Sequence, residues 1–426
     1  MAVQGKRLLV LGGTLLSNNI VETAHNLGVY VTVMDMDPNS PAKKISDDYR
    51  DISTANVDDV VKVFHETKSD GIYTSYEDFN TGIAAEACAR LNIPFYASLE
   101  QIDATRNKLA FKALCRKHGI RTVEEYRLDE SCNEEDLARV QYPAIIKPAD
   151  SYAARGISVC RNEKELLESI PKALAHSRTH QVIVEKFMTG VYLSITFSIY
   201  NGIVRLSAMN DKAINTEQEL IVPLPAAYIY PSQYIDLCNE EILPGLQKMI
   251  DDMAFRDSTF SIEAIVSDGH IYVFEMSYRI GGVNDWKFVF MENQVNHMEM
   301  FIRLALGEGF TGYDLAAQEN PKFQNAYCLM NILAQTGKIK RIEGIEKVVN
   351  HPCIFRYAQN YTAGDEITWP GTLRQIFAKA FIRASSKKEI LDIIHFVNDN
   401  LKIIDENENN LLMTQANWDH LCAERG

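Results

Sequence analysis

Residues 260–282 constrain this chain most: Phe-Ser-Ile-Glu-Ala-Ile-Val-Ser-Asp-Gly-His-Ile-Tyr-Val-Phe-Glu-Met-Ser-Tyr-Arg-Ile-Gly-Gly. Two strand-like runs, ended by Glu263 and Glu275, flank Ser267-Asp268-Gly269. An Asp-Gly turn between such runs predicts a hairpin. The hairpin sets the two carboxylates side by side, facing one point. Carboxylates that close repel each other and raise a pKa unless a cation lies between them. Mg²⁺ takes a few carboxylates together with phosphate oxygens and water. Arg279 follows, on a turn closed by Gly281-Gly282, and adds a fixed cation for a reacting anion. The competing reading is an ordinary hairpin with two solvated glutamates.

A chain of 426 residues exceeds one ordinary domain, so two to four are expected. The formal charge is −14, with no Lys/Arg cluster longer than a pair, which argues against nucleic acid as the main partner. Eight cysteines are dispersed and none forms Cys-x-x-Cys, so neither a zinc site nor a redox pair is suggested. That usage fits a reduced, cytoplasmic setting. The apolar run 8–16 is too short for a membrane span and reads as a first buried strand, and no other segment fits a bilayer.

Residues 1–102 alternate strand and helix: strands at 7–11, 29–34 and 71–74, helices at 19–27, 57–67 and 80–91. This rhythm predicts a parallel sheet wrapped by helices. A Rossmann dinucleotide domain starts in the same way. Here, however, the first turn is Gly12-Gly13-Thr-Leu-Leu-Ser17, which lacks the Gly-x-Gly-x-x-Gly fingerprint. A structural turn, or one lining a substrate cleft, is expected instead. Residues 103–308 change character. A helix opens at Asn107-Lys108 and a strand ends in Lys147-Pro148. A strand follows at 157–160, then a helix capped by Asn162, and Glu185-Lys186-Phe187-Met188 closes the strand 182–188. Paired strands at 193–199 and 203–208 precede the hairpin, and a helix is expected from about 293 to 306. Residues 309–426 read as a small α+β module with no catalytic constellation.

Three further features join the paired glutamates. Lys147, at the end of an apolar strand, can reach phosphates as a point charge or be a solvated strand end. The loop Ser151-Tyr-Ala-Ala-Arg155-Gly156 lies between strands, where a lid over phosphates could sit. Glu185 to Met188 offer a carboxylate, backbone groups and apolar side chains to a flat ring. In this order and spacing, Lys108, Lys147, Arg155, Gly156, Glu185, Phe187, Met188, Glu263, Glu275 and Arg279 resemble the ATP-grasp superfamily, over residues 1 to about 400.

The resemblance implies α/β plus α+β architecture: a Rossmann-like pre-ATP-grasp domain (1–102), the ATP-grasp domain (103–308) and a C-terminal module (309–426). It implies a carboxylate–amine ligase that makes an acyl phosphate and releases ADP. Lys108 and Lys147 would hold phosphates, with Arg155 and Gly156 in the lid. Glu185 would take the adenine amino group, with backbone groups of Lys186 and Met188 and the Phe187 or Met188 side chain against the ring. Glu263 and Glu275 would ligate Mg²⁺, with Mn²⁺ as the alternative ion, and Arg279 would meet the carboxylate substrate. The family usually has Asn where Ser277 stands, which weakens a second metal position. Tyr192 stands where a ribose-binding Glu is common, so ribose contact must differ.

Lys212 falls near where relatives place a charge beside phosphates or substrate; a hairpin-edge lysine is the alternative. Tyr76-Glu77-Asp78 could line the substrate cleft, or be plain helix N-terminal acids. His25, His118 and His297 lack a second ligand at metal spacing. The expected partners are a small carboxylate and an amine, with a homodimer left open. A bicarbonate-phosphorylating subunit is the alternative function.

Overall fold

The computed structural model describes residues 3–126, 134–149, 156–217, 224–310 and 314–418. The α/β rhythm at the start holds. Strands Arg7–Leu11, Tyr30–Met34, Asp48–Arg50 and Gly71–Tyr73 form one parallel sheet, with Arg7–Leu11 between Tyr30–Met34 and Gly71–Tyr73. Its central strands are buried on both faces, as a sheet wrapped by helices requires. Helix Asn18–Asn26 packs on helix His297–Ala305, and Gly71 lies directly against the Ala305 carbonyl, where a Cβ has no room. The first sheet is thereby docked on the rest of the chain.

A second, four-stranded sheet contains Glu125–Tyr126, Val182–Lys186, Ala144–Pro148 and Ser158–Cys160, in that order. Helix Glu163–Leu174, capped by Asn162 through the Glu165 N–H, covers it. It has a core of its own, built from Tyr126, Leu137, Ile146, Leu166 and Val184 among others.

The third and largest sheet has nine strands and is antiparallel. The predicted hairpin, Ser258–Ser267 with His270–Ser277, forms one edge. The sheet continues through Val191–Tyr200, Ile203–Ile214 and Pro225–Tyr230. It then passes without a break into Ala326–Ala334, Ile376–Ala384 and Ile354–Gln359. Strands of the segment from 309 onward thus extend the central sheet. A small three-stranded sheet and helix Lys387–Asn400 complete that end.

Three local differences from the sequence expectation have plain causes. The helix expected at about 293–306 is two helices, Trp286–Asn293 and His297–Ala305. Gln294 in the left-handed region ends the first and Asn296 caps the second. Glu263 and Glu275 lie inside their strands, not at the ends. Helices Ile235–Glu241 and Leu243–Asp252 are additions to the expected set. Among the described residues, no helix is long and apolar enough to cross a membrane. Cys88, Cys115, Cys160, Cys238, Cys328 and Cys353 are free thiols.

Candidate active site

A cleft of about 380 Å³ lies between the four-stranded sheet and the large one. Ile145, Ile157, Phe187 and Met188 make one end apolar. Lys108, Lys147, Lys212, Glu263, Glu275, Ser277 and Arg279 line the rest. Nearly every site residue expected from the sequence thus reaches one cavity. Two do not. Gly156 lies against Pro148 and His176, where a Cβ would come within 2.9 Å of each, and it is not on the cleft wall. Arg155 falls outside the described residues.

The hairpin performs the predicted juxtaposition. Asp268 and Gly269 have φ of 50° and 80°, both left-handed, as a two-residue turn of this type needs. Register then sets Glu263 directly opposite Glu275, and Ser261 opposite Ser277. A bulge follows Glu263, because Ala264 pairs with Val273 and Phe274 has no partner. It brings Phe274 and Glu275 to the same cleft wall.

A lysine lies against each of these carboxylates. Lys108 Nζ lies 2.9 Å from Glu275, and its charge holds that carboxyl at a pKa of about 2. Lys212 is ion-paired with Glu263, which also accepts a hydrogen bond from Ser194 Oγ at 3.0 Å. Lys147 lies 2.6 Å from Glu185 and 5.9 Å from the centroid of the Phe274 ring. Burial, then the Lys112 and Lys108 charges, push the Lys147 ammonium pKa down.

Lys112 was not anticipated from the sequence. Its side chain is fully buried and ion-paired with Glu185, and lies 3.1 Å from Glu125. The readable signal was its place one turn after Lys108, between the buried Phe111 and Cys115. Glu185, 1% exposed, is therefore clamped between two lysines. Its carboxylate is committed to them, in contrast to the expected adenine contact. The Lys186 N–H likewise donates to the Glu124 carbonyl at 3.1 Å.

The strand Val191–Tyr200 adds a second unanticipated feature. Ser194, Thr196 and Ser198 alternate along one face, and each hydroxyl donates to a different carboxylate: Glu263, Asp285 and Glu319. Asp285 is 5% exposed and lines the cleft; burial raises its pKa. Glu319 also meets His297 Nε2 at 2.9 Å, so that histidine is structural. Arg279 donates from Nε and Nη2 to both oxygens of Asp78, at 2.8 and 2.9 Å. Asp78 is the first residue of helix Asp78–Leu91, as the helix N-terminal reading of that acid expects, and it is not on the cleft wall. At the Gly12-Gly13 turn, the Gly13 N–H donates to Asp35 at 2.6 Å, which closes the loop on itself.

The fold and this cleft are those of an ATP-grasp protein, and comparison places the chain further. Residues 107–329 match the family described as carbamoyl-phosphate synthase L chain, ATP binding domain. The chain belongs to this family and is an ATP-grasp ligase whose matched domain binds ATP. It is 26% identical over 321 residues to the formate-dependent phosphoribosylglycinamide formyltransferase of a Nitratiruptor species. That match covers 72% of this chain and 78% of the relative. The enzyme of the same name from Wigglesworthia glossinidia brevipalpis is 27% identical over 201 residues, 46% of this chain but only about half (51%) of that protein. Among solved structures, the L-amino acid ligase from Bacillus licheniformis superposes with a TM-score of 0.78 at 21% identity. It covers 95% of this chain and all (100%) of that one. The biotin carboxylase domain of Hydrogenobacter thermophilus 2-oxoglutarate carboxylase, solved with MgADP, gives 0.73 at 21% identity, covering 93% and 90%. These structural likenesses establish the fold.

Proposed function

We propose that this chain joins a small carboxylic or amino acid to an amine through an acyl phosphate, with ATP cleaved to ADP and phosphate. The observation that carries the reading is the Glu263–Glu275 rung, set in one cleft with Lys108, Lys147, Lys212 and Arg279. Two carboxylates and the Ser277 hydroxyl form a hard oxygen donor set of the kind Mg²⁺ prefers. When bound there, Mg²⁺ supplies charge neutralisation of phosphate oxygens. Lys108 and Lys147 are the proposed phosphate contacts. Their present partners, Glu275 and Glu185, keep both side chains on the cleft wall. The apolar end suits an adenine ring against Phe187 and Met188, met by the Lys186 carbonyl and the Met188 amide. Lys212 and Arg279 are assigned to the reacting carboxylate. The biotin carboxylase domain above is described as a dimer, and a homodimer is the proposed assembly.

The test is ADP release over a panel of small acids, each with and without amines and with hydroxylamine as a trap. The expected result is ADP, not AMP, and a hydroxamate with the true acid. AMP as the main nucleotide product would remove the acyl-phosphate reading. A second reading, bicarbonate phosphorylation, is favoured by the family description and by the carbamoyl phosphate synthase large chain of Clostridium botulinum. That protein is 20% identical over 406 residues, 91% of this chain and 35% of its own length. Bicarbonate gives no stable hydroxamate, so bicarbonate-dependent ADP release without trapping selects it.

Arg279→Lys tests the carboxylate contact. Lysine cannot reproduce a two-pronged guanidinium–carboxylate pair. A drop of roughly 10- to 100-fold in kcat/KM for the acid is expected, the worth of a strong charge-assisted bond. KM for ATP should hold. A rise in KM for ATP with unchanged use of the acid would reassign the residue to the nucleotide.

A further inference from the structure

Among the described residues, four carboxylates line the cleft: Glu185, Glu263, Glu275 and Asp285. Three are paired with lysines: Glu185 with Lys112 and Lys147, Glu263 with Lys212, and Glu275 with Lys108. Asp285 is the exception. It accepts from the Thr196 hydroxyl, and no lysine or arginine among the described residues is ion-paired with it. It precedes helix Trp286–Asn293 but makes no capping bond to it. The carboxylate is thus committed neither to a cation nor to a helix end.

Local structure places this group. Asn284, at φ 59° and 2% exposed, turns the chain. Its Oδ1 is held inward by Asn19 Nδ2 at 3.4 Å and Trp286 Nε1 at 3.3 Å. Gly281, Gly282, Val283 and Asp285 stay on the cleft wall, on the same run as Arg279. Strand Val191–Tyr200 sets the position along that wall. Ser194 and Thr196 donate from one face of it to Glu263 and Asp285 respectively. Two residues along a strand span roughly 7 Å, so Asp285 is one step from the glutamate rung. The groups facing Asp285 from the surrounding elements are Thr196, His297, Tyr230 and Tyr76. Of these only His297 can carry positive charge, and it is bonded to Glu319.

We propose that Asp285 is the proton acceptor for the attacking amine: it meets the entering ammonium and takes a proton from its nitrogen. The proposal rests on the ligase reading and assigns the amine's half of the reaction. An alkyl amine arrives as an ammonium ion at neutral pH. One proton passes to the Asp285 carboxylate. The freed lone pair forms the C–N bond as the bond between the acyl carbon and the phosphate oxygen breaks. The second proton leaves with the phosphate, as hydrogen phosphate, and Asp285 later returns its own to solvent. Burial favours the first transfer, because it raises the carboxyl pKa and lowers that of an ammonium beside it. Glu275, held at about 2 by Lys108, is a far poorer base.

Asp285→Asn tests this in the full chain, since the amide still accepts from Thr196 but is no base. The assay contains ATP, Mg²⁺ and the acid that gives a hydroxamate with the wild type. Two nucleophiles are compared: hydroxylamine, which is already neutral at neutral pH, and the amine that most raises ADP release in the panel. Amide formation should fall about 100-fold at neutral pH, the worth of a positioned base. Hydroxamate formation should hold, because hydroxylamine has no ammonium proton to lose. The pH profile of kcat/KM for the amine should change shape as well. The wild type should be level between the titrations of Asp285 and of the amine. The variant should rise about tenfold per pH unit, as only neutral amine reacts. An equal loss with both nucleophiles, or an amide rate like the wild type's, would overturn the role. Thr196→Val covers a variant that fails to fold: it frees the Asp285 carboxylate from its one hydroxyl partner, and it should slow amide but not hydroxamate formation. No such split would likewise overturn the role. If no acid gives a hydroxamate with the wild type, the ligase reading fails first and this role with it.

Discussion

Glu275→Gln should cut ADP release by roughly a thousandfold, in line with the several kcal/mol that metal-assisted charge stabilisation contributes. The amide keeps the shape of the side chain but not its charge. Two consequences of the geometry sharpen the expectation. Glu275 faces Glu263 across one rung, so the substitution halves the negative charge there. It also removes the ion-pair partner of Lys108 at 2.9 Å. Lys108 should stay on the cleft wall, since its helix Lys108–Lys117 is anchored by buried Phe111 and Cys115. Fold and Tm should therefore be nearly unchanged. Steady-state ADP release, with a melting curve as control, is the measurement. Turnover within tenfold of the wild type would take Glu275 out of the metal position.

The second large effect concerns stability. Glu185→Leu should destabilise the protein by about 3–5 kcal/mol, because it leaves Lys112 and Lys147 buried without their shared carboxylate. Adding Lys112→Met should recover much of that loss, since removing charges together is far cheaper than orphaning one. The readout is the first transition in urea, as a chain with several cores need not unfold in one step. A cost below about 1 kcal/mol for Glu185→Leu would mean that the two lysines find water when their partner goes. An unchanged double variant would locate the damage in packing instead.

Much of this protein is legible in its residues, for local reasons. The Asp268-Gly269 turn fixes the hairpin, and the hairpin fixes the glutamate rung, because the side-chain period along a strand is two. The βαβ rhythm of the first part is likewise a pattern in neighbouring residues. What escapes is long-range. The Arg279–Asp78 fork joins residues 201 apart in sequence, and nothing near either one announces the other. Lys112 looks like an ordinary helical lysine until Val182–Lys186 is packed against it. Asp285 stands at the start of a helix, and its bond to Thr196 joins it to a strand 89 residues away. The continuation of the large sheet depends on Pro225–Tyr230 pairing with Ala326–Ala334, about a hundred residues later. Helix Leu243–Asp252 is a different case: Leu246, Met249 and Ile250 carry the helical spacing openly.

The unbroken nine-stranded sheet divides stiffness unequally across the molecule. The floor of the cleft, from the hairpin through to the last strands, is one hydrogen-bonded plate on a large shared core. The roof is small and has a core of its own. A movement that opens the cleft is therefore expected in the roof, over a floor that stays in place. The side chains that bridge the two, Lys112 to Glu185 and Lys147 beside Phe274, then act as a latch.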